Sequence, residues 1–180
     1  MMFVQIESTP NPNSLKFLPG KIVSNHGSFE VTKKEESNNE LVKSLLSIKG
    51  VEGIFLGKDF ISINKLDSTS WEEIKHIVIS LINDFYLDGK EFVIDKNLEE
   101  NIENLEDIEK KIIKILEEKI RPAVAKDGGD IKFKEFKNGL VKVQLQGSCS
   151  GCPSSTMTLK QGVQNLLCHY IPEVKAVEAI

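Results

Sequence analysis

The chain has 180 residues, 40% hydrophobic and 28% charged, with three cysteines and a net charge of -4. This composition excludes a fibre, a coiled coil or a disordered tail and describes a soluble chain of one or two domains. Of 23 basic residues 22 are lysine, so the arginine-bearing basic face expected of a nucleic-acid binder is missing.

The most apolar stretch, Ile77 to Ile82, falls far short of the roughly twenty residues a membrane helix needs. Met1 to Glu7 lacks the basic and apolar regions of a secretory signal. The expectation is a reducing compartment, where cysteines serve as ligands or reactive thiols rather than structural bridges.

Along the chain, residues 3–7 and 14–18 read as short strands around a turn, Thr9-Pro10-Asn11-Pro12-Asn13, whose prolines exclude helix and whose asparagines favour turns. Leu41, Leu45 and Ile48 recur at helical spacing, and Gly50 is placed to stop that helix. Residues 51–56 and 60–63 follow as a strand pair. Ser70 with Glu73 forms a capping box before the apolar stripe Trp71, Ile74, Val78, Leu81, Ile82 and Phe85, and the helix ends at Asp88-Gly89. A last strand over 91–94 completes a first domain, residues 1–95. Gly53 to Lys58 superficially imitates a phosphate loop, but the glycines are too close and Asp59 replaces the magnesium-binding hydroxyl, so it reads as a hairpin turn.

Residues 96–104 are acidic and poor in apolar side chains, which fits a hinge. The second domain, 105–180, opens with a helix capped by Asn104 whose face is Ile108, Ile112, Ile115, Leu116 and Ile120, until Pro122 forces a kink or restart. Arg121, the only arginine, stands just before that break; a planar fork there fits a carboxylate or carbonyl, and a plain cation near a helix end is the competing account. In the hairpin beyond Gly128-Gly129, a two-residue Asn138-Gly139 turn would set Lys134 and Lys132 against Val143 and Leu145. A three-residue loop, 137–139, instead pairs Phe133 with Val143 and Ile131 with Leu145, and is the register expected. The fold class is α+β: two small mixed domains joined by an acidic hinge.

The chemistry lies in Gly147-Ser148-Cys149-Ser150-Gly151-Cys152, followed by Pro153 and a helix with core face Leu159, Val163, Leu166, Leu167 and Tyr170. Proline favours the first helical position, which makes Cys152 the cap. Two thiols beside a helix N-terminus should both be more acidic than free cysteine. A pair of small residues in a turn is the plain alternative, and the spacing, flanking glycines and following proline weigh against it.

Three chemistries fit: a cluster, a zinc site and a redox pair. Zinc or an iron-sulfur cluster needs about four protein ligands, and one chain offers two. Cys168 falls opposite the core face of its helix, and His169 flanks that face, so neither is an expected third ligand. A two-fold dimer supplies four equivalent thiolates, so a metal site implies a homodimer. Thiol-disulfide exchange needs no second copy, with Cys149 attacking and Cys152 resolving. No H-E-x-x-H, G-x-S-x-G or nucleotide fingerprint suggests an enzyme.

Residues 122–173, with Asp127-Gly128-Gly129-Asp130, Leu145 to Ser155 and Tyr170-Ile171-Pro172-Glu173, resemble the cysteine-bearing domain of NifU-like (Nfu) iron-sulfur proteins. Residues 9–20 resemble the amino-terminal domain of the same family. The resemblance implies a non-enzymatic carrier that holds a 4Fe-4S cluster between two protomers through Cys149 and Cys152, receives it from an upstream assembly scaffold and passes it to apoproteins. Family members of this layout in eukaryotes start with a mitochondrial presequence, which is not seen here; a bacterial cytoplasm is the expected location, ahead of a mitochondrial matrix.

Overall fold

The structure, a computed structural model, describes residues 3–25, 27–92 and 105–180; of residues 153–155 it describes the backbone only. The chain divides into two compact units, Met1–Leu98 and Glu99–Ile180. The hinge expected at 96–104 and the Asn104 cap lie outside the described residues. No helix among the described residues is long and apolar enough to cross a membrane.

The first unit is an antiparallel sheet in the order β1 (Gln5–Ser8), β2 (Ser14–Leu18), β5 (Ile61–Lys65), β4 (Val51–Leu56), β3 (Phe29–Val31), with helices α1 (Glu40–Leu45) and α2 (Trp71–Leu87). Asn39 caps α1 by accepting from the Val42 amide, and the Ser70–Glu73 capping box opens α2. The alternate residues Phe17, Ile54, Ile61 and Ile63 meet Val42, Leu45, Val78 and Ile82, all at most 1% exposed. Trp71 Nε1 donates to the Pro12 carbonyl at 3.0 Å, fastening the Thr9–Asn13 turn to the start of α2. Glu91 and Phe92 are not in a strand, contrary to the sequence expectation; Phe92 packs on the rings of Phe85 and Tyr86 instead, and the rest of that segment lies outside the described residues.

The second unit has the sheet order β6 (Gly129–Lys137), β7 (Leu140–Gly147), β8 (Ala176–Ala179), with β8 parallel to β7, and helices α3 (Asp107–Ile115), α4 (Arg121–Lys126) and α5 (Pro153–Tyr170). Glu106 caps α3. Between α3 and α4 the helix widens into a π turn, Leu116–Ile120, closed by the Arg121 amide on the Leu116 carbonyl. Pro122 has no amide to donate and its ring crowds the preceding turn, so an expanded turn is how the chain stays helical through it.

The hairpin has the expected register, Phe133 opposite Val143 and Ile131 opposite Leu145, by a different route. Its turn is the two-residue Asn138-Gly139, both at positive φ (53° and 83°), and Lys137 pairs with Leu140. The register shifts between Phe133 and Glu135, so Lys134 is the extra residue of a bulge. That single insertion cancels the slip the short turn would impose. On α5, Val163 and Leu167 are fully buried, but Tyr170, expected in the core, is 49% exposed. Its ring accepts Lys119 Nζ at 5.3 Å instead.

Candidate metal centre

The loop 147–152 leaves the end of β7 and enters α5. Cys152 is the N-cap and Pro153 the first helical residue, as the proline position predicts. Gly147 and Gly151 hold φ of 68° and 75°, a region that favours glycine, and so let the loop reverse twice within five residues. Ser148 binds the loop to the preceding turn: its amide donates to the Gly128 carbonyl at 3.2 Å and its hydroxyl to the Asp127 carbonyl. Thr156, one turn into α5, donates its amide to the Cys152 carbonyl at 2.9 Å and its hydroxyl to the Cys149 carbonyl at 3.2 Å.

Cys149 and Cys152 are both buried, and Cys149 belongs to the core of its unit with Leu145, Val163 and Leu167. Gly129 forms the wall against it. A Cβ on Gly129 would stand 2.8 Å from Cys149 Sγ and 2.5 Å from the Gln146 carbonyl oxygen, so no side chain fits there. Burial pushes the Cys149 thiol up to about 11; the Ser148 hydrogen bond opposes this, and the carboxylates of Asp127 and Asp130 add to it. This reverses the expectation of a more acidic Cys149. The cap position and its dipole belong to Cys152, three residues on, while desolvation governs Cys149.

Asp130, next along β6, is held by Arg121 in a bidentate fork, Nε to Oδ1 at 2.8 Å and Nη2 to Oδ2 at 2.7 Å, with Glu117 at 3.5 Å from Nη1. The Ile131 amide also donates to Asp130 Oδ1 at 2.8 Å. The carboxylate expected near Arg121 is therefore present, on an aspartate whose side chain is 8% exposed. Sequence reasoning named Arg121 and quoted Asp130, yet missed that they pair, and missed Gly129 and Ser148 as the wall and tether of the thiol loop. The paired glycines where β6 begins, Gly128 and Gly129, were the available signal.

Two soft thiol donors in one loop suit zinc or iron-sulfur chemistry. Cys168 stands sixteen residues past Cys152 on the same helix, roughly 24 Å along its axis. It is half-buried against the core rather than facing away from it as the helical period suggested. His169 is exposed and lies edge-on to Tyr170 at 5.0 Å. Among the described residues no group of three or more His, Cys, Asp and Glu side chains is arranged to hold a metal ion.

Residues 112–178 match the family described as NifU-like domain, and residues 4–89 the family described as scaffold protein Nfu/NifU N terminal. The chain is 42% identical over 184 residues to the NFU1 iron-sulfur cluster scaffold homolog, mitochondrial, of Drosophila persimilis, and 44% identical over 184 residues to that of Drosophila erecta. It is 43% identical over 185 residues to NifU-like protein 4, mitochondrial, of Arabidopsis thaliana. The alignments cover 99%, 99% and 98% of this chain but 65% of each relative, so it spans slightly less than two thirds of their length.

Proposed function

The chain belongs to the Nfu/NifU family, and on that premise we propose that it carries a 4Fe-4S cluster between two protomers and delivers it to apoproteins. The observation that carries this reading is the half-complete ligand set: Cys149 and Cys152 in one loop, with Cys168 and His169 at the far end of α5. A cluster takes about four thiolates, and a two-fold pair of these loops supplies them.

The loop's chemistry supports a cargo site more than a redox one. A thiol whose pKa stands at about 11 holds roughly one thiolate in ten thousand at pH 7, which makes Cys149 a poor attacking nucleophile for disulfide exchange. A bound metal ion supplies the positive charge that deprotonates a coordinating thiol outright, so the same burial does not bar ligation. Thr156 holds the loop's backbone to α5. A client's cysteines replace Cys149 and Cys152 one at a time; the chain's own part is to bind and release, and no general acid or base is required.

The partners of this reading are an upstream assembly scaffold, a second copy of the chain and apo iron-sulfur clients. The relatives compared above are named as mitochondrial proteins.

Anaerobic reconstitution with ferrous iron and sulfide tests the reading. The expected product is a brown dimer with about four irons per two chains, and Cys149→Ser or Cys152→Ser is expected to remain colourless. A monomer that reduces protein disulfides catalytically and takes up no iron would refute it in favour of a thiol-disulfide oxidoreductase.

A further inference from the structure

Two thiols that share a cluster with a second chain must stand at the surface, and here both are buried: Cys149 is 6% exposed and Cys152 9%. Cys149 Sγ lies so near Gly129 that even a Cβ there would come within 2.8 Å, and the residue belongs to the core with Leu145, Val163 and Leu167. A sulfur seated against a strand backbone has no room for iron on that side, where a metal–sulfur bond alone is about 2.3 Å long. Ligation between two chains therefore requires a second, open arrangement of the loop.

The loop is built to change between the two. Gly147 and Gly151 hold positive φ on either side of Cys149, and glycine leaves that region without steric penalty. A Cβ at Gly151 would meet nothing within 4 Å, so that end turns in open space. Two hydroxyls fasten the closed arrangement. Ser148, 2% exposed, donates its hydroxyl to the Asp127 carbonyl and its amide to the Gly128 carbonyl at 3.2 Å. Half-buried Thr156 donates its hydroxyl to the Cys149 carbonyl at 3.2 Å. All three bonds end on backbone carbonyls, so they fix where the loop lies.

We propose that Ser148 and Thr156 are positioning residues for cluster release: by favouring the closed loop, their hydroxyls weaken the hold on the cluster and draw Cys149 back to Gly129 once a client has taken it. The inference rests on the carrier reading and adds the release step to it. A ligand that binds only the open loop has its apparent affinity reduced by the fraction of chains that are open. The exchange balances: a client thiol gives up a proton as its sulfur binds iron, the departing Cys149 thiolate takes one up, and the cluster passes over with its iron, sulfide and electrons unchanged.

The test uses the full chain under anaerobic, reducing conditions, with Ser148→Ala and Thr156→Val. The valine keeps the shape of the threonine and carries the test if Ser148→Ala, at a buried site, does not fold. In metal-free protein, hydrogen exchange at the Ser148 and Ser150 amides is expected to run about three- to tenfold faster in each variant, the effect of one lost hydrogen bond, while the amides of β6 and β7 keep wild-type exchange. After reconstitution with ferrous iron and sulfide, the chelator concentration that removes half of the iron is expected to rise by a similar factor, because the closed loop competes less. Wild-type exchange in both variants overturns the latch and leaves the carrier reading standing. A fall in the chelator concentration does the same, because it is the result of hydroxyls that merely support the loaded loop. A wild-type chain that takes up no iron overturns the carrier reading and the release step with it.

Discussion

Gly129 and Cys149 lie against each other so closely that a single methyl on the glycine would overlap the thiol, at 2.8 Å from Sγ. The Gln146 carbonyl at 2.5 Å is backbone within a paired strand and cannot move aside. Gly129→Ala should therefore push Cys149 and the loop outward and destabilise the second unit by about 1–3 kcal/mol, the usual cost of overpacking a core. Urea unfolding measures the loss, and iron content after reconstitution shows whether the displaced thiol still binds. Wild-type stability in this variant would mean the contact is not tight.

The raised Cys149 pKa makes the apo protein lose stability in alkali. The folded state holds this proton up to about pH 11, whereas the unfolded chain releases it near 9.0. The contribution is thus full below pH 9 and lost as pH rises toward 11. The total is on the order of 2–3 kcal/mol. Denaturant midpoints between pH 8 and 11 should fall more steeply for the wild type than for Cys149→Ala, and alkylation of Cys149 by iodoacetamide should rise with an inflection well above that of a free thiol.

Arg121→Ala strips the buried Asp130 carboxylate of its guanidinium fork while the Ile131 amide continues to donate to Oδ1. Its cost should approach the lower range for breaking a buried pair, about 2–4 kcal/mol, since Arg121 itself is one-third exposed. Arg121→Lys should recover only part of this, because an ammonium cannot reproduce the two parallel bonds of the fork. Equilibrium unfolding of the three proteins orders them; equal stability of wild type and Arg121→Ala would contradict the pairing.

In the β6–β7 turn, Gly139→Ala meets two obstacles: a φ of 83°, and contacts of 2.9 Å with the Lys175 side chain and 3.1 Å with the Glu173 carbonyl. A loss of about 1–2 kcal/mol is expected. Asn138→Ala, at φ 53° with no glycine to replace, should cost less. Thermal melts of the pair give the comparison directly.

Features that depend on neighbours in sequence were legible beforehand. The Ser70–Glu73 box, the Cys152 cap before Pro153 and the strand pair read as 51–56 with 60–63, observed as 51–56 with 61–65, all follow from spacing within a few residues. The hairpin register was found through its hydrophobic alternation, although its turn was not, because a bulge at Lys134 leaves no mark in the apolar pattern. β3, three residues long, is too short to show alternation. Tyr170 fits the helical stripe, but nothing in α5 reveals that the core ends before it and that Lys119 offers its ring a cation. Of the site, the two thiols were readable from their motif. The acidity of Cys149 was not: it depends on burial against Gly129, twenty positions earlier, and local dipole reasoning points the other way.

The π turn before Arg121 sets the rotational phase of helix α4. An α-helix advances roughly 100° per residue, so removing one residue from Leu116–Ile120 would regularise the helix yet swing Arg121 about a quarter-turn around its axis, off Asp130. Straightening the helix would thus undo the grip on the strand that leads out of the thiol wall, and a shorter, more regular sequence here would make a less coherent protein.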